Sequence, residues 1–312
     1  MTAPLVTVLM ATRNGARYLG EQLDSLERQS HANWRLMVSD DGSDDGTWAM
    51  LEAFQARIGA GRVTLAQGPQ RGVAANFLSL IAAVGPEAAA VALADQDDVW
   101  LPEKLSRGMA AVGGRGGPVL YCARTRIVGP DLQERGLSAV WARPFGFANA
   151  LVQNVAAGNT ILLNRAAIDL AQDAIRRMPA AVAQEVVLHD WWLYQMVSGA
   201  GGVVVHDAEP VLLYRQHGGN LIGGNQGPMA KLRRLAMVLA GTFRDWNGRN
   251  IAALTAAGDL LHPKARAELA RFAELRQAGL AGRLRGLRKS GLYRQTRAGQ
   301  VALWVSALIG RI

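Results

Sequence analysis

Over the first hundred residues, short unbroken apolar runs alternate with segments of helical period. Leu5 to Ala11, Arg35 to Ser39, Val63 to Ala66 and Ala88 to Ala94 read as strands. Between them, Leu19, Leu23 and Leu26 fall on one face of a helix over Ala16 to Gln29. Trp48, Leu51, Phe54 and Ile58 do the same over Asp45 to Ile58, and Val73, Phe77, Leu80, Ile81 and Val84 mark a third helix. A strand with no polar alternation is covered on both faces. The pattern therefore predicts an α/β fold, an open and mostly parallel sheet flanked by helices.

After Trp100 the rhythm loosens. A helix is expected from Pro102 to Val112. Strands are expected at Val119 to Ala123, Arg126 to Val128, Thr160 to Leu163, Val203 to His206 and Val211 to Tyr214, with helices over Arg165 to Met178 and Asp190 to Ser198. Gly218 to Gly227 reads as a mobile loop, and everything beyond Met229 reads as helical and basic. The expected division is 1–228 and 229–312, the first part falling into halves at 1–100 and 101–228. Residues 229–312 form a basic helical extension.

Composition narrows the class. Of 312 residues, 50% are apolar, enough for a sizeable core and too many for a disordered chain. The single cysteine, Cys122, excludes a disulfide framework and a cysteine-built metal cluster, and it points to a reducing compartment. No basic start of a signal peptide is present, and no apolar run reaches the roughly 18 residues of a transmembrane helix. A cytoplasmic protein is expected. Residues 1–230 carry 18 Lys and Arg against 21 Asp and Glu, whereas 231–312 carry 16 against 4. That asymmetry points to a polyanionic partner.

Open parallel sheets bind ligands at the carboxyl ends of their strands. Three predicted strand ends carry polar clusters: Thr12-Arg13-Asn14, Asp40-Asp41-Gly42-Ser43 and Asp95-Gln96-Asp97-Asp98. Each alone reads as a turn or a helix cap; their convergence on one crevice reads as a site. Packed carboxylates repel, and a divalent cation relieves the repulsion. Oxygen ligands without cysteine suit Mg²⁺ or Mn²⁺ and a nucleotide diphosphate. Neither a phosphate-loop ATPase nor a dinucleotide dehydrogenase fits, since both glycine motifs are absent.

The ordered segments VTVLMATRNGARYLGEQLDSLERQ, VSDDGSDDGT, RGVAANF and ALADQDDVWLPEKL resemble the family 2 glycosyltransferases of GT-A fold, most of all their rhamnosyltransferase-like branch. The resemblance covers residues 5 to 222. It implies that Asp40 accepts a hydrogen bond from the donor's pyrimidine and that Thr12 and Arg13 line the base and ribose. It places Arg71 beside the nucleotide, Asp95 near the ribose and Asp97 on the metal. Asp190, in His189-Asp190-Trp191-Trp192, matches the catalytic base; the family often has Glu where His189 stands. In Tyr214-Arg215-Gln216-His217, the resemblance puts Arg215 on the diphosphate and His217 on metal or phosphate. It sets Asn159 on the acceptor side. The Gln-x-x-Arg-Trp motif of processive synthases is missing, which favours single-sugar transfer. Trp191 is read either as core or as a stacking surface for an acceptor sugar.

These implications give a metal-dependent enzyme that moves one sugar, rhamnose by resemblance, from a nucleotide-diphosphate donor to a surface glycan or lipid-linked saccharide. One base and no separate nucleophile imply inversion. A nucleotidyltransferase and a non-catalytic sugar-nucleotide-binding module of a membrane complex stand as alternatives. In the tail, Val301, Trp304, Val305, Leu308, Ile309 and Ile312 share one helical face, just after Arg283, Arg285, Arg288, Lys289, Arg294 and Arg297. Such a helix either lies on an anionic membrane, making the protein peripheral at the inner face of the plasma membrane, or packs on the protein or another subunit. A nucleic-acid partner is not expected, because stacking aromatics are not interleaved with the basic residues and the crevice is acidic.

Overall fold

The computed structural model describes residues 3–218 and 240–312. The predicted loop Gly218 to Gly227 lies outside the described residues, apart from Gly218. The first half alternates β1 (Val6–Thr12), α1 (Ala16–Glu27), β2 (Trp34–Asp40), α2 (Thr47–Ile58), β3 (Val63–Gln67), α3 (Val73–Ala82) and β4 (Ala90–Ala94). All the strand pairings within this half are parallel, in the order β3-β2-β1-β4.

Alternation of side chains across the pleat explains why β1 carries an unbroken apolar run. Val6, Val8 and Met10 join one core with Leu19, Leu23 and Leu26 of α1 and Leu51 and Phe54 of α2. Leu9 points into the opposite core with Phe77, Leu80 and Ile81 of α3.

The second half adds β5 (Val99–Trp100), α4 (Lys104–Val112), β6 (Val119–Val128), β7 (Glu134–Leu137), α5 (Phe147–Ala150), β8 (Leu162–Asn164), α6 (Arg165–Arg177), α7 (Ala180–Ala183), α8 (His189–Gly199) and β9 (Val203–Arg215). The sheet continues β4-β8-β6-β9-β5, with β7 on β6. Here β8, β5 and β7 run antiparallel to their partners, whereas β6 and β9 are parallel. The parallel pattern thus belongs to the first half, and the sheet becomes mixed beyond it.

Two pairs of predicted short strands merge into the long strands β6 and β9. The pairing slips past Ala123 and Arg124, and jumps from Asp207 to Pro210. Pro210 has no amide proton to donate, so the ladder bulges around it rather than ending. Asp207 steadies the bulge: its carboxylate accepts from the Glu209 amide at 3.0 Å, from Arg107 through two 2.8 Å bonds and from the Tyr121 hydroxyl at 2.9 Å. Burial pushes that carboxyl upward, but these donors outweigh it and hold it below its ordinary value.

Helices α9 (Thr242–Ala256), α10 (Pro263–Gln277), α11 (Leu280–Ser290) and α12 (Arg297–Leu308) complete the chain. They share a core with the domain before them. Leu254, Leu261, Leu269, Phe272, Leu287, Leu303 and Ile312 belong to the same apolar cluster as Phe147, Trp191 and Leu193. Gln295 accepts from the Arg143 amide at 3.0 Å, and its own amide donates to Gln153 at 2.8 Å. Among the described residues, no helix is long and apolar enough to cross a membrane. Cys122 is buried on β6, and burial pushes its thiol up to about 12, so it is inert.

Candidate active site

Strands β1 and β2 end side by side, with Thr12 in register with Asp40. The Thr12 hydroxyl donates to Asp40 at 2.7 Å. The same carboxylate accepts from the Ser43 hydroxyl at 2.6 Å and from the amides of Gly42 and Ser43 at 3.2 and 2.8 Å. Gly42 has φ +86°, the left-handed conformation this turn requires and glycine adopts without strain. Asp40 is buried and organises the turn it begins. Asp41, which sequence reasoning left without a role, holds the next loop: it accepts from the amides of Gln70 and Gly72 at 2.8 and 2.9 Å. Arg71 stands exposed at the tip of that loop.

Gln96 ties the acidic loop after β4 to the end of β1. Its side chain accepts from the Arg13 amide and donates to the Arg13 carbonyl, both at 2.9 Å. The β1 and β2 loops are laced together further on. Asn14 amide donates to Ser43 at 2.8 Å, Gly15 amide to Thr47 at 2.8 Å, and Ala16 amide to Asp45 at 3.0 Å. Loops that are far apart in sequence thus form one rigid rim, because each uses the orphan amides at the start of α1 or α2.

Oxygens of Asp95, Asp97 and Asp98 lie within 4.8 Å of one another. Burial, with the charges of Asp97 and Asp190 added, pushes Asp95 up to about 7. Burial also raises Asp98, which is fully enclosed and accepts from the Asn159 side chain at 2.6 Å and the Arg215 amide at 3.3 Å. Asp97 and the Nε2 of His217 are 2.7 Å apart. Beneath the cluster lies Lys104, a buried lysine that the sequence reading did not single out. It donates to the carbonyls of Asn159 at 2.7 Å and Leu93 at 3.3 Å, and sits 3.3 Å from the centre of the Trp100 ring. Burial lowers its pKa; Asp98 and Asp95 oppose that shift. The only sequence signal was its place four residues after Trp100, on the first turn of a helix.

Asp190, on the first turn of α8, supplies the facing carboxylate, and its charge acts on Asp95. It accepts from the Gly158 amide at 3.1 Å and from its neighbour Trp191 at 2.6 Å. Burial raises it to about 6; the bonds from Trp191, Asn154 and Gly158 pull it back in part. Gly158 has no room for a side chain, since a Cβ there would lie 2.9 Å from His189. His189 itself is core: it stacks on Phe77 at 4.0 Å, and burial drives it down to about 3, so it is neutral.

Three residues considered for ligand contact are buried. Arg215 is the first. Its guanidinium is buried, donates to the Asp97 carbonyl at 2.9 Å, to Pro130 and to Glu21, and stacks over Tyr18 at 4.5 Å. Asn159 is buried and spends its amide on Asp98 rather than lining an acceptor. Trp191 is core: its indole donates to the Ala150 carbonyl at 2.6 Å and its ring meets the edge of Trp246. In each case the polar atoms of a buried side chain must find protein partners, and Asn159 and Arg215 find theirs on the acidic loop itself. A groove of about 770 Å³, lined by Gly248, Ile251, Arg276 and Gln277 among others, contains none of these carboxylates.

Comparison with known proteins agrees with this geometry. The family model described as glycosyl transferase family 2 matches residues 7–166. The chain belongs to this family. It is a glycosyltransferase that takes its sugar from a sugar nucleotide, and the nucleotidyltransferase and non-catalytic alternatives fall. It is 27% identical to the dTDP-rhamnosyl transferase RfbG of Shigella flexneri over 233 residues, 73% of this chain and 78% of the relative. It is 32% identical to the Escherichia coli UDP-Glc:alpha-D-GlcNAc-diphosphoundecaprenol beta-1,3-glucosyltransferase WfgD over 104 residues, 32% of this chain and 38% of the relative. The fold is similar to that of residues 1–349 of S. aureus TarS, with TM-score 0.55, 13% identity and coverage of 98% of this chain and 88% of that one.

Proposed function

We propose that this glycosyltransferase moves a single rhamnosyl residue from a dTDP donor to a surface-glycan or lipid-linked saccharide acceptor, with inversion. The likeness to RfbG, a dTDP-rhamnosyl transferase by name, supports the donor. The name of WfgD, whose acceptor is a diphosphoundecaprenol, supports the acceptor class. One observation carries the mechanism: Asp190 faces the Asp95-Gln96-Asp97 loop closely enough to act on Asp95, and Gln96 fastens that loop to the rim holding Thr12 and Asp40.

In this reading the rim formed by Thr12, Arg13, Asp40 and Arg71 receives the nucleotide, and Asp95 meets the ribose. Asp190 takes the proton of the acceptor hydroxyl as its oxygen bonds to the anomeric carbon, and the nucleoside diphosphate leaves on the opposite side. The loop fits a divalent cation, Mg²⁺ or Mn²⁺. It gathers three carboxylates, of which Asp95 and Asp98 are raised by burial and further by the charge of Asp97, and it sets the ring of His217 beside Asp97. Asp97 and His217 would hold the ion, which when bound offsets charge on the departing diphosphate. Residues 1–228 would form the catalytic domain, with a peripheral position at the inner membrane face serving a lipid-linked acceptor.

The test is a panel of nucleotide sugars with and without Mg²⁺ or Mn²⁺, read as thermal protection and as donor turnover. A ligand bound only by the native state raises its midpoint. dTDP-rhamnose with metal should give the largest shift. A larger shift from a UDP- or GDP-sugar would overturn the donor, and equal protection by donor without metal would overturn the ion.

A further inference from the structure

The outward face of α12 is apolar. Val301, Val305, Leu308 and Ile309, spaced i, i+4, i+7 and i+8, are all exposed on that side, while Leu303, Ser306 and Ala307 turn inward. Leu280, at the start of α11, is exposed too, and Arg283 one turn later donates to the carbonyls of Ala307 and Leu308. Leu280 thereby lies at the end of the same stripe. These five side chains are between 42% and 62% exposed, and they make up most of the large exposed hydrophobics among the described residues. An exposed stripe of this kind marks a contact surface.

Arg285, Arg288 and Lys289 on α11 and Arg297 at the start of α12 are exposed on the same two helices. No acidic residue follows Glu274 in the chain. The structure also prunes the sequence pattern. Trp304 packs against the core and Ile312 is buried, so neither belongs to the stripe, and the guanidinium of Arg283 is spent on backbone carbonyls.

We infer that the α11–α12 face is a docking surface for an anionic lipid bilayer, with the stripe entering the headgroup boundary and the basic residues meeting lipid phosphates. Charge complementarity selects this occupant. A second copy docked face to face would set Arg285, Arg288 and Lys289 against their own likenesses. The segment 219–239 carries Lys231, Arg233 and Arg234 and no acidic residue, so it cannot neutralise these basic residues either. A nucleic acid would satisfy the charges but offers no apolar phase for the stripe. The inference deepens the proposed function, since it sets the face by which the enzyme would meet a lipid-linked acceptor, but its test does not depend on the donor.

Full-length protein is sedimented with vesicles of phosphatidylcholine alone, or with phosphatidylglycerol added. Binding should require the anionic lipid and weaken as salt shortens the Debye length from about 8 Å. Each basic residue near such a surface is worth about fivefold in affinity. The variant R285E/R288E/K289E should therefore lose on the order of a hundredfold, and V305S/L308S at least about tenfold. These positions are exposed, so thermal midpoint and donor hydrolysis should stay native in both. Failure of native protein to bind, equal binding to the neutral vesicles, or variants that bind as native protein does would overturn the surface. So would a concentration-dependent dimer that V305S/L308S abolishes, or tighter binding to an oligonucleotide than to vesicles. Native protein that binds vesicles but hydrolyses no donor would leave the surface standing and count against the catalytic reading.

Discussion

At the residue scale, the same burial that makes Asp190 a usable base sets a pH dependence. Raised to about 6, it is ionised at neutral pH yet basic enough to accept a hydroxyl proton. Turnover should therefore climb as pH rises through about 6 and level off above it. Asp190→Asn should cut turnover by about 10²–10⁴-fold while leaving donor affinity near native; a pH–rate profile and donor KM check both. The sign for stability is opposite. Between 3.8 and about 6 the native chain holds a proton that the unfolded chain has lost, so this group's contribution falls as pH rises through that window. The Asn variant should lose that part of the slope in denaturation measured from pH 4 to pH 7. Lys104 makes the complementary case. Removing its amine leaves the buried carbonyls of Asn159 and Leu93 without this donor, so Lys104→Met should destabilise by about 1–3 kcal/mol in chemical denaturation.

At the element scale, loops at the strand ends carry most of the site, with Asp190 on the first turn of α8 facing them, and side chains from other strand ends hold two of these loops. Asp41 fixes the loop between β3 and α3 through two amides, and so fixes the place of Arg71. Asp41→Ala should raise donor KM about tenfold, the equivalent of about 1.4 kcal/mol, with kcat largely preserved. Equal losses in both constants would mean that the loop does more than bind. The strand readings show what local pattern can and cannot see. Val6–Thr12 and Ala90–Ala94 were legible because strands covered on both faces are continuously apolar. The break predicted between Val203–His206 and Val211–Tyr214 did not occur, because Asp207 and its partners Arg107 and Tyr121 carry the ladder across Pro210. Those partners lie 100 and 86 residues away, outside any local window.

At the scale of the whole molecule, helices α9 to α12 are fastened to the second half of the sheet domain by a common core. Leu303→Ala should cost about 2–5 kcal/mol, the loss for a buried leucine. Deleting residues 283–312 would also strip Leu287, Leu292 and Ile312 from that core and leave Asn149, Arg143 and Gln153 without their bonds to 293–295. Such a truncation should unfold well below the full chain in a thermal melt, and it cannot report on membrane contact. Surface substitutions on α12 separate the two roles.

The sequence by itself determined the strand–helix alternation, the parallel first half of the sheet and the acidic strand ends, because periodicity and turn chemistry are local and survive without knowledge of neighbours. It also carried the motifs by which the family resemblance could be stated. Tertiary structure alone decided which polar groups remain available. Arg215, Asn159 and Trp191 look like ligand contacts in a string of letters, yet folding buries them, and a buried donor must be spent on the nearest acceptor. Lys104, unremarkable in the string, becomes the buried amine beneath the acidic loop for the same reason: what a buried polar group can do depends on what else is enclosed with it.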